Sequence, residues 1–227
     1  MSRPTREFGS GPLSRGSAFI YTLMVTELML VVACLPGLIP LYFVVPAGAH
    51  AVLVGLCAIP FGPALSAAIY ALRHRSSDLT DLRPMRQFWR GYRLNALDVL
   101  PVWLVGLLWL LMIVVTLINF WVAGVPTWWA VILGLVGVIA VLWLINGLIV
   151  TSLFSFRTVD AMRLSWELIP RRPLVMLGNA GVLLGAGLLA TVTNEILVGL
   201  LASTFLMALV ATSRPLIEFV AEEYTTA

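Results

Sequence analysis

The chain has 227 residues, of which 60% are hydrophobic and 11% charged, with a formal net charge of +3. A soluble domain carries about a quarter charged residues, so a water-soluble core is excluded, and no nucleic-acid partner is expected. The apolar runs leave no stretch long enough for a separate soluble domain, and one integral membrane domain follows.

In chain order, a short arm (residues 1–17) precedes the first apolar run, Ala18 to Val45. That run is longer than the ~7–15 residues of a signal-peptide core, so an uncleaved first helix is expected. Further runs cover Ala51 to Leu72, Ala96 to Val122, Trp128 to Phe154, Leu174 to Val192 and Ile196 to Thr212. Each approaches the ~20 residues that span hydrocarbon as a helix. They are continuous instead of alternating, which selects helices over a barrel. The expected fold is all-α: a polytopic bundle of about six helices over residues 18–213, followed by a tail over 214–227. Only Thr193, Asn194 and Glu195 separate the last two runs. A hairpin and a single bent or re-entrant helix are both open there.

The chain contains no lysine, and its arginines set the orientation. Three lie in the N-terminal arm, six between the second and third runs, four between the fourth and fifth, and one, Arg214, in the tail. The remaining connections carry none. The positive-inside rule then makes the arginine-bearing side cytoplasmic, with both termini inside. Aromatic residues mark the other side: Tyr42 and Phe43, Phe120 and Trp121, Trp128 and Trp129.

The densest charge lies in RPMRQFWRGYRLNALD, Arg83 to Asp98. Met85, Phe88, Trp89, Tyr92 and Ala96 recur at helical spacing, while Arg86, Arg90 and Arg93 fall on the other face. Pro84 suits the first turn. This spacing predicts an amphipathic connecting helix in the headgroup layer, which either anchors to an anionic inner leaflet or docks on a partner through its arginines and aromatics. A weaker version follows the fourth run, where Val159, Met162, Trp166 and Ile169 share a face and Arg163 can pair with Glu167.

Three polar residues sit inside runs at comparable depths: Glu27, Asn146 and Asn179. They form either a functional polar cluster or a set of structural ties between helices. In IPFGPALSAAIYAL (Ile59 to Leu72), Pro60 and Pro63 flank Gly62 and each removes an amide donor, so the second helix should break or kink. Gly181 and Gly185 form a GxxxG pair for close packing, within the bundle or against a second copy in a homo-oligomer. Cys34, Cys57, His50 and His74 show no ligand spacing, and no nucleophile elbow, HExxH or phosphate loop is present. No metal, cofactor or catalytic residue is expected, and a non-enzymatic role follows.

IPFGPALSAAIYAL, followed by FWRGYRLNALDVLPVWLVGLLWLL, resembles the YesL-like family of small bacterial membrane proteins, a family of unknown function. Pro60, Gly62, Pro63, Ala64, Ala68, Tyr70, Phe88, Trp89 and Asn95 carry the resemblance, over about residues 55 to 110. It implies a multi-pass protein of the bacterial plasma membrane. Family members tend to be encoded beside carbohydrate-import ABC transporters, which implies an accessory role with a transporter subunit as partner. The alternative expectation is a small-molecule binding or transport protein with a polar cavity on the cytoplasmic side.

Overall fold

The computed structural model describes residues 12–44, 51–75, 83–120, 126–193 and 195–224. Among these residues all regular structure is helical: α1 (Pro12–Val44), α2 (Ala51–Cys57), α3 (Phe61–Arg73), α4 (Pro84–Ile118), α5 (Trp128–Leu153), α6 (Thr158–Arg171), α7 (Pro173–Val192), α8 (Glu195–Leu200), α9 (Ala202–Thr212) and α10 (Arg214–Tyr224). Five stretches are long and apolar enough to cross a membrane, the second being α2 and α3 together. The bent pair α9 and α10 would make a sixth, at 52°. Their outward faces carry side chains such as Met24, Leu108, Met112, Val131, Leu135 and Leu184, all exposed. So large an apolar exterior needs hydrocarbon as its solvent. The chain is a membrane-embedded helical bundle.

The helix at the centre is α3, with nine of its thirteen residues buried. Ala64, Ala67, Ala68 and Ala71 are fully enclosed, and their small side chains let α1, α4, α5 and α9 pack around one axis. Gly91 shows how close the approach to α4 is, since a Cβ there would lie 2.7 Å from Cβ of Tyr70.

The expected break in the second span is present. Cys57 ends α2, Ala58 to Pro60 form a turn, and α3 begins at Phe61. The Ala58 carbonyl accepts from the Phe61 amide at 3.2 Å and from the indole N–H of Trp103 at 2.9 Å. Gly62 leaves room for that indole: a Cβ at residue 62 would stand 2.3 Å from Trp103 Cγ. Trp103 of α4 is thus seated in the gap that the two prolines open.

Three expectations need correction. The arginine-rich stretch is not a separate helix in the headgroup layer, because α4 runs unbroken from Pro84 to Ile118. At 35 residues it is ~52 Å long, and a core of ~30 Å leaves roughly 20 Å of helix outside it. The last span is not one helix either, since it is interrupted at Leu201 between α8 and α9. Third, most of the expected tail is α10. Leu216 and Val220 join Ala161, Leu164 and Leu168 of α6 in a second apolar core at the arginine-rich end. Around it, Arg171 approaches Glu223 at 3.8 Å, and the Arg172 guanidinium lies 4.5 Å from the Phe219 ring.

Trp103→Phe keeps most of the ring and loses the N–H, so it should lower stability by about 1 kcal/mol. Gly62→Val should cost more, about 1–3 kcal/mol, through overpacking. Unfolding in mixed micelles measures both, and an unchanged Trp103→Phe would remove the indole bond from this account.

Candidate functional site

The first candidate is the arm of α4. Arg83 is its N-cap residue and Pro84 its first helical residue, where no intrahelical donor is lost. Pro84, Phe88, Gly91 and Val99 are buried, and the contact of Gly91 with Tyr70 fixes this face on α3. Trp89 lies at the edge of that contact, 5.7 Å from Tyr92 by ring centres. Met85, expected on the same apolar face, is exposed instead.

Turned away from α3, Arg83, Arg86, Arg90 and Arg93 recur every three or four residues and so stay on one side of the helix. They line an open groove of about 1080 Å³ together with Trp89 and Gln87. Among the described residues, Arg86, Arg90 and Arg93 have no ion pair or hydrogen bond. Arg75, at the end of α3, is held differently. It donates to Met207 Sδ at 3.2 Å and lies 5.1 Å from the Phe19 ring centre. Burial, and secondarily the Arg214 guanidinium, draws its pKa below the usual arginine value.

The second candidate, the polar trio, does not come together. One carboxyl oxygen of Glu27 accepts from the Ser203 amide at 2.6 Å. Ser203 lies in the first turn of α9, where backbone amides have no partner of their own, so Glu27 of α1 caps a helix distant in sequence. Its other oxygen, Oε1, is buried without a partner. Asn146 donates to Met176 Sδ at 3.3 Å and to the Ser165 carbonyl at 3.5 Å, which ties α5 to α7 and α6. Asn179 donates to Ser213 Oγ at 3.0 Å and accepts from Thr212, at the bend between α9 and α10. No hydrogen bond joins any two of the three among the described residues. A cavity of about 290 Å³ inside the bundle is lined by Leu65, Ile69, Trp103, Leu144 and other apolar side chains, and by none of the trio.

The expected Arg163–Glu167 pairing is not made, and of the two expected uses of Gly181 and Gly185 the one within the bundle is absent among the described residues. Glu167 turns to Arg171, 3.6 Å away, and leaves Arg163 without a partner among the described residues. Gly181 and Gly185 make no close approach within the chain, since a Cβ at either would meet nothing within 4 Å. Close glycine packing occurs instead at Gly37, Gly62, Gly91, Gly106 and Gly147. Sequence reasoning also missed the tie made by Asn95, whose amide donates to the Ser152 carbonyl at 2.9 Å. Ser152 in turn donates to Ser66 Oγ at 2.7 Å, so α3, α4 and α5 are joined at one level. The available signal was an asparagine entering an apolar run, which in lipid needs a partner.

Glu27→Ala should destabilise the bundle by about 0.5–2 kcal/mol, the usual cost of a lost helix cap. Glu27→Gln keeps an acceptor oxygen and should retain most of that. Thermal unfolding in detergent distinguishes them, and equal losses would argue against capping.

A family model described as "Protein of unknown function, DUF624" matches residues 23–120. The matched stretch holds Glu27, the break at Pro60 and Pro63, the arginine arm and Trp103. No curated protein and no solved structure matches the chain.

Proposed function

We propose that the protein is a non-enzymatic accessory component of a bacterial plasma membrane, with both termini and the arginine-rich side in the cytoplasm, which docks the α4 arm on an acidic face of a carbohydrate ABC importer. The observation that carries this reading is the stripe of Arg86, Arg90 and Arg93, unpaired among the described residues, on a helix longer than a membrane span requires. Opposite charges are most valuable where they have no internal partner, and arginine beside tryptophan is the composition of interface anchors. Electrostatic attraction decays over about 8 Å at physiological salt. Gly91 packs on Tyr70 near the end of the second span, so Arg90 and Arg93 stand near the headgroups, while Arg86 lies further out on the arm, within reach of a protein. The importer as partner rests on the resemblance to YesL-like proteins. A polar binding cavity is the weaker reading, because Glu27, Asn146 and Asn179 are each engaged in separate ties between helices.

The test is affinity purification from native membranes in mild detergent. An importer subunit should co-purify, and the triple variant Arg86→Gln, Arg90→Gln, Arg93→Gln should weaken its recovery by about tenfold or more, with unfolding temperature unchanged because these side chains are exposed. If no importer subunit accompanies the unaltered protein, or if the triple variant retains it fully, the docking role is wrong.

A further inference from the structure

A second groove, of about 410 Å³, opens between α4, α5 and α6, lined by Val105 and Trp109 of α4, Trp143 of α5, and Arg163, Trp166 and Glu167 of α6. We propose that it is a binding site for a single anionic phospholipid, with the phosphate on Arg163 and an acyl chain along Val105 and Trp109.

The groove is built and not incidental. Trp143 donates its indole N–H to the Met162 carbonyl at 3.1 Å, which fastens α5 to α6 and sets the floor. Trp109 and Trp166 are both about half exposed, and neither indole N–H has an acceptor among the described residues. Trp109 stands in the apolar stretch of α4, where water is not available to accept that bond. At Trp166, beside Arg163, a lipid ester or phosphate oxygen supplies an acceptor, while Trp109 lies along the acyl chain. The volume falls within the ~300–1,000 Å³ of ordinary ligand pockets.

Charge selects the occupant. The groups around the mouth are Arg163, Glu167, Arg171 and Glu223. Glu167 and Glu223 both lie against Arg171, so the four charges sum to zero, and Arg163 is the guanidinium with no carboxylate in ion-pair contact among the described residues. A guanidinium matches phosphate through paired N–H groups. It lies at the arginine-rich end of the bundle, and the apolar walls accept a chain. A headgroup with net negative charge fits this better than a zwitterionic one.

The experiment uses the full chain in nanodiscs containing equal phosphatidylglycerol and phosphatidylcholine, with retained lipid identified by native mass spectrometry after transfer to mild detergent. One retained phospholipid is expected, with phosphatidylglycerol favoured about fivefold, the effect of one basic residue beside an anionic headgroup. Arg163→Gln should abolish the preference and Arg163→Lys should largely keep it. Trp166→Ala should reduce retention of both lipids. The triple variant of the α4 arm serves as the control, because that stripe is also cationic, and it should leave the preference intact. Equal retention of the two lipids by the unaltered protein, an unchanged preference in Arg163→Gln, or a loss confined to the arm variant would overturn the assignment.

Discussion

Inside hydrocarbon, a backbone amide or carbonyl released by a break in a helix has no water to turn to and must find its partner in the chain. This bundle interrupts its helices at Ala58 to Pro60, at Leu201 and at Ser213, and each interruption is met by a side chain from another helix. At Ser213, whose backbone groups bond along the chain, Asn179 reaches the side-chain hydroxyl, while Trp103 reaches the Ala58 carbonyl and Glu27 reaches the Ser203 amide. Asn95 does the same at the end of α5, where the Ser152 carbonyl has lost its place in the helical ladder. Glu27, Asn95 and Asn179 therefore reach breaks or ends of helices, while Asn146 ties α5 to α6 and α7 away from any break.

These ties act on a bundle whose packing has no hydrophobic drive within lipid, where close van der Waals contact must supply cohesion. That explains why α3, the enclosed helix, sets four alanines, Ala64, Ala67, Ala68 and Ala71, where its neighbours press closest. A larger side chain at Ala67 or Ala71, both fully enclosed, would push neighbouring helices apart. The same requirement explains Gly62, which admits the Trp103 ring to its carbonyl. The break and the tryptophan are two halves of one contact.

Four of the six span positions, the first, second, fourth and fifth, were legible from apolar length alone to within two residues. The runs Ala51 to Leu72 and Trp128 to Phe154 end within a residue of the helical stretches Ala51–Arg73 and Trp128–Leu153. What length and depth could not give was direction around each helix. Glu27, Asn146 and Asn179 share a depth, yet point to different neighbours. The helical pattern of Met85, Phe88 and Trp89 fits equally a face toward lipid and a face toward α3, and the burial of Phe88 with the exposure of Met85 decides for α3. Arg163 and Glu167 have the spacing of a pair, but Arg171, one turn further along the same helix, takes Glu167 instead and also meets Glu223 of α10. Residues 214–227 were expected as a tail, yet Leu216, Ile217 and Val220 bury one face of α10 and hold the helix down.

One consequence concerns α4. The helix that seats Trp103 in the core is continuous with the one that displays Arg86, Arg90 and Arg93, so the arm is not a tether with its own freedom. Its rotation is set by Phe88, which is fully enclosed, and by Gly91 against Tyr70. A surface fixed in this way loses little conformational entropy when it meets a partner. A floating amphipathic segment would have to be ordered first. The packing that holds the bundle together therefore also aims the charge, and a substitution at Gly91 would act on the proposed docking without touching an arginine.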